Sequence, residues 1–318
     1  MLKPEVLMGI FPFRDNKIVS LSEAAALVND NDIVAIGGNL SAREPMGMIR
    51  ELIRQGKRNL HTVGGAHGVD IDLMCAGGIV GTVQNSFVGL EADFGLAPHF
   101  RRMAEEGTIR VRETDCIAVM TQLRASQFGL PFMPTPVVDG TQVLEFGTNV
   151  YRMACPFTGE TVNLLPALRP NVAIIHAHRA DDRGNVKLDP PYFADLLLVE
   201  ASDKVIITVE KIITREEVKD IGSNIPYYEV TAIVELPLGA HPTSCYPDYL
   251  YDRAHLAEYM KAAQEGPEAF SSQYLQKYIF GPTDHGEYLK LIGGKQKWAA
   301  LRDWNKDEET WQGLMIRE

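Results

Sequence analysis

Ile33-Val34-Ala35-Ile36-Gly37-Gly38 is a short apolar run that stops on two glycines. Pro45 then opens a stretch in which Met48/Ile49 and Leu52/Ile53 recur at helical spacing until Gly56. A strand without polar alternation is covered on both faces, as in a parallel sheet, and proline is tolerated at a helix start. The stretch reads as strand, glycine turn, helix. Upstream, Ser20-x-x-Glu23 is a capping box ahead of the apolar run 24–28, and residues 29–32 (Asn-Asp-Asn-Asp) form a turn. Downstream, the strand pattern returns at 60–63, 81–88, 109–111, 172–175 and 205–209. Helices are expected at 98–106 and 115–128, the second with Ile117, Met120, Leu123 and Phe128 on one face. Strands alternating with helices predict an α/β fold: an open, twisted, mostly parallel sheet flanked by helices. Residues 134–165, rich in Pro, Gly and Thr, read as an excursion from that sheet in the form of a hairpin, and residues 250–318 as a C-terminal helical wrap. No flexible linker divides the chain, so 1–318 reads as one domain.

Composition narrows the function. The 318 residues carry 31 basic and 42 acidic side chains, a net charge of −11. Without a basic face, phosphate-backbone neutralisation is not available, and nucleic-acid binding is not expected. Cys75, Cys116, Cys155 and Cys245 are far apart with no C-x-x-C pair. That predicts reduced thiols and a cytoplasmic protein, with neither a disulfide frame nor a zinc site. Residues 1–13 lack the basic start and small-residue cleavage site of a signal peptide, and no apolar run is long enough to span a membrane.

The chemistry is expected at the glycine pairs. Open parallel sheets bind ligands at the carboxyl ends of their strands. There, Gly37-Gly38 and Gly64-Gly65 read either as tight turns or as backbone donors of an oxyanion hole around a thioester. No G-x-G-x-x-G or Walker pattern is present, which disfavours dinucleotides and nucleoside triphosphates. Arg43 follows the first pair, placed either to receive a substrate carboxylate or to pair with acids of another chain. Glu113, between a short strand and a helix, reads either as a complement to the helix dipole or as a general base. Cys116 in the same helix reads as a small core residue. His176, His178 and His241 are expected as buried histidines bonded to backbone, not as metal ligands, and Tyr246, Tyr249 and Tyr251 as packing residues.

A series of blocks carries a resemblance. Asp30-Asn31-x-x-Val34-Ala35-Ile36-Gly37-Gly38 with Arg43-x-Pro45 comes first, then Gly64-Gly65-Ala66, then Gly129-Leu130-Pro131-Phe132. Cys155-Pro156-Phe157-x-Gly159 follows, then Ile174-Ile175-His176-Ala177-His178 and Gly239-Ala240-His241-Pro242-x-x-Cys245-Tyr246. In this order they resemble the A subunits of family I CoA-transferases, the glutaconate type above all, over about residues 20–290. The resemblance implies a coenzyme A thioester and a small carboxylic acid as substrates and no permanently bound cofactor. It implies that Gly37, Gly38, Asn39, Arg43, Gly64 and Gly65 bind substrate and that Glu113 matches an acid of the A subunits. Asn39 stands where the general signature has Phe. In such enzymes a glutamate attacks the thioester, and it lies on the B subunit in an S-E-N-G-like motif. Glu145 and Glu235 come nearest here, and neither follows a buried strand in that setting. The chain is therefore expected to be half an enzyme, in a heterodimer or an α2β2 heterotetramer. Two relatives of the same architecture keep the assembly and change the reaction: ring-opening acyl-CoA hydrolases and decarboxylases of diacid CoA esters. A ligand-sensing or sugar-phosphate-isomerase-like module is the distant alternative.

Overall fold

A computed structural model describes residues 15–137, 139–143 and 150–303. Glu145, residues 1–13 and the last part of the expected helical wrap lie outside these. The first helix among the described residues is α1 (Leu21–Ala26), and Ser20 and Glu23 close the capping box reciprocally. Strand β1 (Ile33–Ile36), helix α2 (Met46–Arg54), β2 (Leu60–His67), α3 (Val69–Ala76) and β3 (Val80–Leu90) follow. A helical turn α4 (Glu91–Phe94), β4 (Gly95–Leu96), α5 (Pro98–Glu105), β5 (Arg110–Val111) and α6 (Cys116–Gln127) complete the first half. After β6 (Phe132–Thr135), β7 (Tyr151–Ala154) and β8 (Thr161–Pro166), the main sheet resumes with β9 (Val172–Ala180) and β10 (Val186–Lys187). Helix α7 (Asp195–Ala201), β11 (Lys204–Ile212), α8 (Arg215–Ile221) and β12 (Ala232–Glu235) end the sheet. Helices α9 (Arg253–Gln264), α10 (Pro267–Phe270), a π-helical run Ser271–Phe280, α11 (His285–Leu291) and α12 (Gly294–Arg302) are the last elements among the described residues.

The main sheet runs β12-β11-β9-β1-β2-β3-β4, with β10 on β9 and β5 on β3. Its long pairings are parallel, and only the short β10 and β4 run antiparallel. Each face carries its own core. Helices α2, α3 and the C-terminal helices cover one around Ile49, Leu52, Ile71 and Tyr259. Helices α6 and α7 cover the other around Val63, Leu123, Ile175 and Val209. From β1 the chain winds outward to β2 and β3 on one side, and β9, β11 and β12 lie on the other. The junction of β1 and β9 is thus a topological switch point, the place where open α/β sheets form a crevice. Gly37-Gly38 sits at its carboxyl end.

Three expectations need correction. Gly64-Gly65 is not a turn: it lies inside β2, with Gly64 opposite Asn85 and pairing continuing to His67 opposite Val88. The eleven-residue β3 offers a partner that far along, so the glycines do not end the ladder. Helix α6 buries Ala118, Val119, Leu123 and Ala125, while Ile117 and Phe128 are exposed. Small side chains win the buried stripe because α6 is wedged between the main sheet and a second one. That second sheet, β6-β8-β7, is the excursion, an antiparallel three-stranded sheet and not a simple hairpin. Its inner face places Leu165 and Asn163 in the interior, with Leu165 packed on Ala118. Its outer face sets Leu164 between Tyr151 and Pro134, Met153 beside Val162, and Phe132 beside Pro166.

Candidate active site

The first glycine turn is closed on itself. Gly37 N donates to Ile174 O (2.9 Å) and Gly38 N to Asp195 Oδ1 (2.9 Å). Asn39 N donates to Ala42 O (2.8 Å) and Leu40 N to Ala66 O (3.1 Å). The N–H groups expected as oxyanion donors at Gly37 and Gly38 are thus spent within the protein. What the two glycines supply is room: a Cβ on Gly37 would stand 2.5 Å from Asp195 Oδ1, and Gly38 has φ +85°.

Arg43 is likewise committed. It is buried, its Nη2 donates to Asp195 Oδ2 (2.7 Å) and Pro191 O (2.6 Å), and its Nη1 to His176 O (3.3 Å). Its partner acid belongs to this chain, not to another one. Asp195 carries no sequence motif; a lone acid at the start of a short helix gives no signal that it faces a glycine turn far away in sequence.

Across the sheet, Ser86 lies in register beside Gly65, between the pairs Gly64/Asn85 and Ala66/Phe87. Cys116 Sγ donates to Ser86 Oγ (3.1 Å), and Met120 Cε stands 3.8 Å from where a Gly65 Cβ would be. The N-terminus of α6 therefore abuts the second glycine pair. Cys116 is exposed, not a core residue. Glu113 is also exposed, and the helix-capping role falls to Asp115, whose Oδ1 accepts from Ile117 N (2.7 Å) and Ala118 N (2.8 Å). The dipole complement at this helix start is thus Asp115, which leaves Glu113 unexplained by helix capping.

Beneath the strand ends lies a buried acid–imidazole group that carries no sequence motif. Glu44 accepts from Gly68 N (2.9 Å) and Asp70 N (3.2 Å), and Asp70 Oδ2 is 2.5 Å from His67 Nδ1. Burial, then the neighbouring Asp70 charge, pushes the Glu44 carboxyl well above its usual range. Burial works on Asp70 in the same direction, but His67 and the surrounding donors outweigh it and hold Asp70 low. Of the expected histidines, only His178 is bonded purely to backbone: its Nε2 donates to Tyr246 O (2.8 Å) and its Nδ1 accepts from Asp189 N (3.0 Å). His176 is held by side chains, Thr208 Oγ1 (2.8 Å) and Glu210 Oε1 (2.8 Å), and His241 by Tyr288 OH (2.7 Å) and Asp252 Oδ2 (3.1 Å). These strand-end positions are buried among polar side chains, so the rings find acids before they find carbonyls. The tyrosines divide: Tyr249 is buried and donates to Glu210 (2.7 Å), Tyr251 donates to Asp93 (2.7 Å), and Tyr246 is exposed.

The carboxyl ends of β1, β2 and β3 thus carry the glycine pairs, the start of α6, and a small cleft lined by Leu40, Ser41, Gly68, Gly89 and Thr243. Comparison with known proteins bears on this arrangement. An uncharacterized protein of Archaeoglobus fulgidus is 34% identical over 90% of this chain, which spans only 64% of that protein's length. The A subunit of glutaconate CoA-transferase from Acidaminococcus fermentans is 31% identical over 87% of this chain and 92% of its own. The cholesterol ring-cleaving hydrolase IpdA subunit of Mycobacterium tuberculosis is 32% identical over 82% and 93%. The crystal structure of the Acidaminococcus enzyme superposes with a TM-score of 0.86 at 30% identity, covering 90% of this chain and 95% of that one. A variant of the decarboxylase AibA/AibB gives 0.75 at 35% identity, covering 80% and 96%. Residues 18–236 match the family described as Coenzyme A transferase, a span that takes in both glycine pairs, Arg43, Glu113 and the whole main sheet. This chain belongs to the Coenzyme A transferase family.

Proposed function

We propose that this chain is the A half of a two-subunit enzyme that acts on acyl-CoA thioesters by transferring coenzyme A to a carboxylic acid. One observation carries the reading: the likeness to glutaconate CoA-transferase extends over nearly the whole chain, at a TM-score of 0.86. In this reading a glutamate of the partner B chain attacks the thioester carbonyl and forms a mixed anhydride, releasing CoA thiolate. The thiolate then attacks the glutamyl carbonyl and frees the acyl carboxylate. The acceptor acid reverses both steps. Because Gly37 and Gly38 have their N–H groups engaged, this chain contributes the shape of the pocket at Gly37, Gly38, Asn39, Gly64 and Gly65. Glu113 is its own candidate catalytic group. In this reading the nucleophile comes from a B chain, and the two chains assemble as a heterodimer or an α2β2 heterotetramer. Coenzyme A enters as substrate, and no resident cofactor is part of the proposal. No helix among the described residues is long and apolar enough to cross a membrane, and four free cysteines suit the reducing cytoplasm.

A second reading has its own support. The exposed carboxylate of Glu113 lies on this chain, where a transferase with its nucleophile on the partner chain does not require one. A general base there fits an acyl-CoA hydrolase, and a decarboxylase keeps the same pocket. Intact-mass analysis of both chains after incubation with acyl-CoA separates these. A CoA adduct on a partner-chain glutamate, with this chain unmodified, is the expected result. CoA release with neither adduct nor acceptor requirement gives the hydrolase. Loss of carbon dioxide gives the decarboxylase, and an adduct on this chain overturns the division of labour.

A further inference from the structure

We infer that Asp195 is a positioning residue of the active site: its buried carboxylate clamps the loop 37–45 at both ends and so sets the wall of the cleft at the strand ends. This rests on the proposed acyl-CoA site being the one at these strand ends. Asp195 is fully buried and cannot touch a substrate. One oxygen takes the Gly38 N–H (2.9 Å) and the other takes Arg43 Nη2 (2.7 Å). The two donors flank the same loop, and Gly37 must lack a side chain because the carboxylate occupies that space, 2.5 Å from a would-be Cβ. The loop is strained at Leu40 and Arg43, two non-glycine residues with positive φ, 53° and 54°, while Gly38 takes its φ of 85° freely. Such conformations persist only where the surroundings over-determine them. Here the determinants are Asp195, the Pro191 and His176 carbonyls on Arg43, and the Ser244 carbonyl on Arg43 N.

The consequence reaches the cleft. Leu40 and Ser41, at the loop tip, form its wall opposite Gly68 and Gly89. Only a carboxylate satisfies both clamped donors. An amide in its place keeps one acceptor for Gly38 but turns an NH2 toward the Arg43 guanidinium, leaving a buried cation unbalanced. The Gly37-Gly38 and Arg43 pattern that reads as a substrate receptor is, on this geometry, a receptor for Asp195.

The test uses the complex assembled from both chains and the variants Asp195→Asn and Arg43→Lys. The second retains the charge and loses the planar fork, and it decides the question if the first does not assemble. Three quantities are read: kcat and KM for acyl-CoA per assembled complex well below the melting temperature, the melting temperature itself, and hydrogen exchange in the peptide covering residues 33–48. Displacing a positioned wall by about an ångström costs on the order of 10²-fold in rate. The expected result is a fall in kcat of that order, KM little changed, and faster exchange confined to the loop. Wild-type kcat per assembled complex in both variants, with only the melting temperature lowered, overturns the inference and leaves Asp195 a stability residue. If the wild-type complex turns over no acyl-CoA, the functional reading fails on its own. Exchange then still decides the clamp: acceleration upholds it, and an unchanged loop refutes it.

Discussion

Replacing Glu113 by Gln, side by side with Asp115 by Ala, separates chemistry from architecture at the start of α6. The two acids are two residues apart, and the structure gives them different work. Asp115 accepts two backbone N–H groups, Ile117 at 2.7 Å and Ala118 at 2.8 Å. Removing an N-cap of this kind costs about 1 kcal/mol, within a range of roughly 0.5–2. For a chain of 318 residues, which unfolds with an entropy of about 2.1 cal/mol/K per residue, that is a fall of roughly 1–2 °C in melting temperature. Glu113 is exposed and caps nothing. Its conversion to Gln preserves shape and should leave stability within about 0.5 kcal/mol of wild type. If its carboxylate serves as the base, kcat falls by about 10²–10⁴-fold, or roughly 2.7–5.5 kcal/mol of barrier. The assay is kcat/KM per assembled complex, with calorimetry on the same samples. Glu113→Gln at full activity with a lowered melting temperature would make Glu113 structural. A deep loss of turnover in Asp115→Ala would show that the helix end, not the Glu113 carboxylate, is what catalysis needs.

Further outcomes follow from the buried groups. His99, packed 4.1 Å from the Phe270 ring with its Nε2 unpartnered, has its pKa brought down by burial from 6.5 to about 4. The unfolded chain therefore binds a proton between pH 6.5 and 4 that the folded chain refuses, so the stability His99 contributes is complete above 6.5 and is lost as pH falls toward 4. At about 1.4 kcal/mol per pH unit, acidification to pH 5 should cost wild type about 2 kcal/mol more than His99→Phe. Equal losses in urea titrations of the two would refute this. Asp72, raised to about 6 by burial, works in the opposite direction, but it is common to both proteins and cancels. Gly64→Ala places a Cβ 2.4 Å from His67 Nε2 and 3.0 Å from Asn85 Nδ2. With His67 locked on Asp70, the ring cannot yield freely, and about 1–3 kcal/mol of stability should be lost. An unchanged melting temperature would show that the ring moves.

How much of the fold is legible in the sequence depends on where each signal is written. The parallel strands announce themselves, since burial on both faces leaves runs such as 33–36 and 205–209 with no polar alternation. The capping box at Ser20 is local and reads directly. Gly64-Gly65 misleads because glycine has no side chain to show which face it takes, so a strand interior and a turn look alike. Helix α6 misleads because periodicity weighs Ile117 and Phe128 by size, whereas the space between two sheets admits Ala118 and Ala125. Arg43 reads as an anion receptor, but its anion comes from Asp195, and no spacing rule connects residues brought together by the β1–β9 junction. The burial of His176 and His241 is readable from their apolar neighbours, while their acid partners, Glu210 and Asp252, depend on the same long-range folding.

The outer face of the small sheet has a bearing on how the isolated chain behaves in solution. Tyr151, Met153 and Phe132 stand there at 71%, 40% and 43% exposure, with Phe157 at 94% on the connecting turn. Against this stands a net charge of −11, which makes copies of the chain repel one another. The attraction is short-ranged and is not screened by salt, whereas the repulsion is screened over a Debye length of about 8 Å at physiological ionic strength. Colloidal stability of the unpartnered chain should therefore fall as salt is added. Low-salt buffers will keep it dispersed, and sulfate, which also strengthens apolar burial, will bring it out of solution sooner than chloride.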